Sequence, residues 1–261
     1  YSMMFGDLNA FPVYIAFGRN TVNFGNFASY APFTHNHSSH YFWAQSDDPH
    51  FELGYVDDTL EASFSLLPNA RGLRVINAPN RSGFENFAFN LSNQFTLADD
   101  ISLKLGGGFL RGTIYDSAIA HHPPGDGGED KFWNSAWDAH ATLSWNQFDF
   151  MVEHTRTLDD WPATLHSVAA TTAQMRYRDS LFEAPTTYSV MLSRGVHGKS
   201  KTEWEEMKQA VLGIESRVHP NVEVGLEYVF NSGFVPLILP QITADKGVHS
   251  HSFNAGTKIT F

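Results

Sequence analysis

From Trp133 to Trp145 the chain reads WNSAWDAHATLSW, and its residues sort by parity. Odd positions carry Trp133, Ser135, Trp137, Ala139, Ala141, Leu143 and Trp145; even positions carry Asn134, Ala136, Asp138, His140, Thr142 and Ser144. One side is apolar and aromatic, the other polar. An extended strand keeps a period of two on one face, whereas in a helix the same residues would spiral around the axis. After Asn146 and Gln147 the pattern resumes, with Phe148, Phe150 and Val152 against Asp149 and Met151. A two-residue gap is that of a hairpin.

The pattern recurs along the chain. Val222, Val224, Leu226, Tyr228 and Phe230 oppose Glu223, Gly225 and Glu227; Phe87, Phe89, Leu91, Phe95 and Leu97 oppose Asn90, Ser92, Gln94 and Thr96. Ile101, Leu103, Leu105 and Phe109 oppose Ser102 and Lys104, and Phe11, Val13, Ile15 and Phe17 share a face. Short connections near Asp7–Ala10, Asp57–Asp58, Ala98–Asp100, Asn146–Gln147, Asp179–Pro185 and His219–Asn221 take turns with long ones near 22–48, 68–83, 114–132, 157–167, 195–205 and 231–247. The strands number about thirteen, of roughly nine to fourteen residues, against about five or six for a soluble strand and nine to eleven for one crossing a bilayer.

A soluble sandwich also alternates, with its apolar face inward. Strand length, the strict rhythm of short and long connections, and apolar faces ending in aromatic rings favour a membrane barrel instead. Composition agrees: 14% aromatic residues, 22 of them Phe, accompany only 17% charged residues. No apolar run approaches the roughly 20 residues of a spanning helix. Hydrocarbon offers no hydrogen-bond partners, so each strand in lipid is paired on both sides. The absence of cysteine excludes disulfides and thiol chemistry. The net charge of −11, with no basic stripe, excludes a general nucleic-acid binder.

The expected fold is all-β: a transmembrane up-and-down antiparallel β-barrel of about 14 strands, or 16 as the alternative, with short periplasmic turns and long extracellular loops. Residues 1–261 are read as one barrel domain. An even strand number, with the last strand ending in the periplasm, predicts an N-terminal strand or segment before Tyr1, so the chain is expected to be part of a longer protein. No signal-peptide pattern surrounds Tyr1. The final stretch, FNAGTKITF, puts Phe253, Ala255, Thr257, Ile259 and Phe261 on one face. Such an ending resembles the assembly signal of bacterial outer-membrane proteins, which implies their assembly machinery as a partner.

The stretch GDLNAFPVYIAFGRNTVNFGNFASY, residues 6–30, resembles the opening segment of the LbtU-type siderophore porin family through Gly6, Leu8, Asn9, Phe11, Pro12, Val13, Tyr14, Gly18, Val22, Phe24, Gly25 and Phe27. It departs at Asn23, where proline is expected, and in the His-rich text after Phe33. The rest of the chain matches only in architecture, and the family's N-terminal coiled coil is absent. The resemblance implies transport of a ferric siderophore across the outer membrane without a plug domain.

With the apolar face toward lipid, the other face lines the lumen. It presents Glu52, Lys104, Asp138, His140, Asp149, Glu153, Gln174, Arg176, Arg178, Arg194, Glu215, Arg217, Glu223, Glu227 and Lys258. Arg176, Arg178 and Arg217 are expected near one level of the pore, where a positive ring favours anions such as carboxylate siderophore complexes. The competing reading is that these arginines pair with Glu215, Glu223 and Glu227 and only fill the lumen. His35, His37 and His40 in one loop, with His121 and His122 in another and His249 and His251 near a third, form a weak candidate metal site. Trp133, Trp145, Tyr228, Phe230 and Phe261 are the expected interfacial girdle. Gly106–Gly108 fits close backbone approach inside a strand. His154 or His166 with Ser167 and Asp159 or Asp160 could be drawn as a hydrolase site, but no motif supports it, and an enzyme is not expected.

The expected function is therefore a porin or transporter for a small polar solute, foremost an anionic ferric siderophore. The alternatives are a non-specific diffusion porin and a structural barrel that binds other envelope proteins. Expected partners are the lipid bilayer, with lipopolysaccharide as a candidate contact, and the solute. No cofactor and no nucleic acid are expected, and oligomerisation stays open.

Overall fold

The computed structural model describes residues 2–42, 49–67, 84–115, 133–162, 164–199, 207–233 and 249–260, with the His40 side chain outside that set. The described residues form thirteen strands in one sheet. They are β1 (Ser2–Phe5), β2 (Val13–Gly18), β3 (His50–Val56), β4 (Leu60–Leu67), β5 (Asn86–Ala98), β6 (Ile101–Leu110), β7 (Ala136–Trp145), β8 (Phe148–Thr157), β9 (Ala169–Leu181), β10 (Ala184–Val196), β11 (Met207–His219), β12 (Val222–Gly233) and β13 (His249–Ile259). One short helix, α1 (His37–Phe42), lies between β2 and β3. Each strand pairs antiparallel with the next, and spatial order equals chain order. This is the expected meander, with short connections at one rim and long ones at the other. β1 to β4 are shorter than expected, at four to eight residues. β2 stops at Gly18, whose φ of 140° suits only glycine, and from there the chain turns away from the sheet.

β1 and β13 are the two edges of the described sheet and run in the same direction. They cannot pair antiparallel with each other.

Burial is inverted relative to a water-soluble protein. Inward Asp138, Asp149, Glu153 and Thr155 are no more than 4% exposed, while outward Val152, Leu212 and Leu226 are each 54% exposed. A soluble sandwich would reverse this assignment, because apolar area leaves water at about 25 cal/mol per Å². Lipid is the solvent that accepts such an outer face.

An outward aromatic belt follows the short-turn rim. Trp145 stacks on Phe148 at 6.2 Å between centroids, Phe148 on Tyr177 at 4.7 Å, and Tyr177 on Tyr188 at 6.2 Å. The Tyr177 hydroxyl donates to Asp179 and that of Tyr55 to Asp57, so the belt's polar tips point at rim carboxylates. Asp57, in the β3–β4 turn, is held down to about 2 by the backbone N–H groups of Leu60 and Thr59 and by the Tyr55 hydroxyl. Of the expected girdle, Trp145 lies in this belt, and Tyr228 and Phe230 lie outward toward the other rim against His251 and His249. Trp133 precedes β7 rather than joining it, under the Arg111 guanidinium at 4.7 Å. Phe261 lies outside the described residues.

The β9–β10 turn carries strain. Its two central residues, Phe182 and Glu183, both have positive φ (50° and 67°). Asn-Gly prefers that conformation, and L-residues with bulky side chains pay for it. The double change Phe182→Asn/Glu183→Gly is expected to stabilise the barrel by about 1 kcal/mol. Urea unfolding followed by gel mobility checks this, and a lower midpoint would contradict it.

Candidate functional site: an inward segment that narrows the barrel

Residues 19–42, which the sequence presents as part of a long rim loop, fold into the barrel interior. For residues 22–42 this corrects the expectation that the 22–48 connection is an extracellular loop; residues 43–48 lie outside the described residues. Following the chain, the Asn90 amide of β5 donates to Asn23 at 3.1 Å. The backbone N–H groups of Asn26 and Phe27 donate to Glu153 Oε1 of β8 at 2.8 and 2.9 Å. Tyr30 N–H donates to Gln174 Oε1 of β9, and the Gln174 amide donates back to Ala28 carbonyl, both at 2.7 Å. Phe33 and Thr34 N–H reach Glu227 Oε2 of β12 at 3.0 and 3.2 Å, and the Thr34 hydroxyl donates to Glu227 Oε1. The chain then doubles back, and His37 N–H donates to Ser193 Oγ of β10 at 2.9 Å. Asn36 caps α1 by accepting from Ser39 N–H at 2.7 Å.

Inward glycines make room for this traverse. A Cβ at Gly108 would meet Gly25 and Phe24, one at Gly213 would meet Pro32, and one at Gly225 or Gly256 would meet Phe33. A Cβ at Gly106 would meet the His140 ring. The Gly106–Gly108 run thus serves close approach, as expected. Toward the long-loop rim the segment's own Val22, Phe24, Tyr41 and Phe42 pack with Leu110, Tyr115, Trp161 and Val168. This apolar cluster sits inside the barrel, and the Tyr115 hydroxyl donates to Tyr41 carbonyl at 3.1 Å.

Two cavities flank the segment. One of about 450 Å³ is lined by residues 20–27 with His35, Ser39 and Glu52. The other, of about 300 Å³, lies on the short-turn side, lined by Tyr30, Gln94, Lys104, Thr142, Ser144 and Arg176 among others. Arg176 Nε donates to Asp149 Oδ2 at 2.5 Å, and Arg178 donates to the same oxygen. The Arg176 guanidinium lies 4.4 Å from the Tyr30 ring centroid, in reach of a cation–π contact. Further round, Arg217 pairs with Glu223 at 2.7 Å and Lys258 reaches the other Glu223 oxygen at 3.2 Å. In both places two cations share one carboxylate. Lys104 pairs with Glu61 at 2.8 Å.

Arg176, Arg178, Lys104, Asp138, His140, Arg217, Glu223 and Glu227 all lie on the inward face. Arg194 does not. Its register partners are Thr171 and Lys208 on the outward face, because the two-residue β9–β10 turn puts even β9 positions opposite odd β10 positions. Of the arginine pairs expected in the competing reading, Arg217–Glu223 is present. Arg176 and Arg178 differ: Asp149, not Glu215, Glu223 or Glu227, holds them, while Glu227 holds the inward segment. Among the described residues, the histidines of the weak candidate metal site do not come together. His37 is buried against β10, His35 is exposed by the larger cavity, and His249 and His251 lie on the outward face of β13. His121, His122 and the His40 side chain lie outside the described residues. Ser167 Oγ accepts from Arg156 at 2.8 Å, and His166 Nδ1 contacts the Ser167 carbonyl, so among the described residues no histidine addresses that hydroxyl. Periodicity had no access to Asp149 as a shared counter-ion or to Glu153, Gln174 and Glu227 as anchors. The usable signal was the set of glycines at inward positions.

No protein-family model and no curated protein matches the sequence. Solved structures do. OprB of Pseudomonas putida is 11% identical with a TM-score of 0.62, over 99% of this chain and 71% of that one. OmpT, an outer membrane protein of Vibrio cholerae, in its trimer form, is 14% identical with a TM-score of 0.58, over 95% of this chain and 77% of that one. The outer membrane channel DcaP of Acinetobacter baumannii is 11% identical with a TM-score of 0.55, over 95% of this chain and 72% of that one. What these share with the chain is the fold: it is a β-barrel of the bacterial outer membrane, its apolar outer face set against lipid.

Proposed function

We propose that the chain forms an outer-membrane channel for small anionic solutes. The reading is supported by one juxtaposition. The inward segment narrows the lumen directly beside a cavity walled by Lys104 and Arg176, and Arg176 and Arg178 share a single carboxylate, Asp149. Fixed cations at a constriction lower the entry cost of an anion and raise that of a cation. The structural likeness to DcaP, an outer membrane channel, agrees with a pore. The finer proposal is that the solute is a ferric complex of a carboxylate siderophore. It rests on the resemblance of residues 6–30 to the siderophore porins and on the sign of this wall.

Reversal potential in planar bilayers under a KCl gradient tests the channel reading, with chloride preferred over potassium as the expected result. Block of that current by an anionic ferric carboxylate siderophore, and not by a neutral ferric complex of similar size, tests the finer one. A second reading, a closed structural barrel, draws on the segment's reach from β5 to β13. Absence of any conductance would select it.

A further inference from the structure

We infer that Asp138, His140 and Glu153 form a binding site for one divalent transition-metal cation on the inner wall. Asp138 and His140 are two residues apart on β7 and so share its inward face, and register places Glu153 of β8 directly opposite His140. One ligand atom from each lies within 4.8 Å of the others. All three are buried, Glu153 to 1% exposure. The inference does not depend on which solute passes the pore.

The hydrogen bonding leaves a gap of the right kind. Asp138 Oδ1 faces His140 Nδ1 at 2.7 Å, and Oδ2 accepts from the Thr155 hydroxyl at 2.6 Å. Glu153 Oε1 accepts the Asn26 and Phe27 N–H groups. Glu153 Oε2 is equally buried and has no hydrogen-bond partner. Among the described residues no lysine or arginine forms an ion pair with either carboxylate. Bare carboxylates buried beside one imidazole are costly, and positive charge relieves the cost, as protons or as a cation. A cation between Glu153 Oε2, Asp138 and His140 supplies it at an oxygen that has no other partner.

The donor set selects the class of ion. One imidazole nitrogen with carboxylate oxygens suits Zn²⁺, Mn²⁺ or Co²⁺, whereas Ca²⁺ takes six to eight oxygens at a roughly 2.4 Å distance. The ligands are also oriented: Thr155 fixes Asp138, the segment's N–H groups fix Glu153, and Gly106 leaves room for the His140 ring. A bound ion would join β7, β8 and the inward segment through Glu153.

The test is Co²⁺ titration of the detergent-folded protein after chelator treatment and dialysis, read by visible d–d absorption and by metal content. One equivalent of Co²⁺ is expected for the unmodified protein and for the rim variant Asp179→Asn. Glu153→Gln and His140→Gln are each expected to weaken binding roughly tenfold or more. Folding of each variant is checked by heat-dependent gel mobility, and His140→Gln decides alone if Glu153→Gln does not fold. No uptake by the unmodified protein overturns the inference. So does equal uptake by the variants, which would place the ion on exposed histidines elsewhere.

Discussion

Removing residues 20–48 and joining Arg19 to Pro49 through a short turn is expected to raise single-channel conductance several-fold and to lower thermal stability. Gly18 and His50 are direct register partners, so the cut ends lie one turn apart and the sheet ladder stays intact. The lumen loses the chain that crosses it from β5 to β13. The stability loss follows from the same contacts. Val22, Phe24, Tyr41 and Phe42 are at most 4% exposed, and burying each such side chain contributes about 1.5–3 kcal/mol. Cutting only the anchor, with Glu227→Ala, is expected to give an intermediate result: a conductance that fluctuates between the parent and the deletion level. That carboxylate receives two backbone N–H groups and the Thr34 hydroxyl, and hydrogen bonds to a charged acceptor are worth about 1.5–3 kcal/mol each. An unchanged conductance in the deletion variant would mean that the segment does not obstruct the path.

The double change Arg176→Glu/Arg178→Glu is expected to reverse the channel's ion preference from chloride to potassium. The two guanidiniums converge on Asp149 Oδ2, and Asp149 is the direct register partner of Arg176. If they only neutralised that carboxylate, removing all three charges together, with Arg176→Gln/Arg178→Gln/Asp149→Asn, would leave selectivity unchanged. If they set the local field, the triple variant loses the chloride preference, while Asp149→Asn alone strengthens it, because both cations lose their counter-ion. The triple variant therefore separates structural pairing from selection, two readings the sequence leaves open. Opposite shifts of reversal potential, toward potassium for the double glutamate and toward chloride for Asp149→Asn, are the expected outcome. Both side chains are substantially exposed to the lumen, at 38% and 44%. The effect is thus expected to shrink at high ionic strength, where the screening length falls to about 3 Å at 1 M.

The sheet was legible because lipid imposes a rule on every strand. Leu226 and Val152 are apolar because they face hydrocarbon, and Glu227 and Glu153 alternate with them because they do not. A turn such as Asn146–Gln147 announces itself in the same alternation. The inward segment was not legible, since its Gly, Pro, Asn and His content is that of any rim loop. Its position is decided by Glu153, Gln174, Ser193 and Glu227, more than a hundred residues away in sequence, and by glycines on strands it does not belong to. Arg194 failed for a different reason. On a strand whose apolar and polar residues mix, the face depends on turn length, and the two-residue turn at Phe182–Glu183 places it outward. Asp138, His140 and Glu153 were each read as lumen residues, but only the β7–β8 register brings them to one point.

Lipid lies outside the barrel and water inside, and the absence of cysteine in the chain allows a clean measurement of this. Single cysteines placed at Arg217 of β11 and at Glu223, Val224 and Leu226 of β12, in protein reconstituted into vesicles, can be challenged with a charged, membrane-impermeant thiol reagent. Water inside and lipid outside predict modification at 217 and 223, which face the lumen, and protection at 224 and 226. Protection of 217 and 223 with modification of 224 and 226 would show the apolar face in water and contradict this.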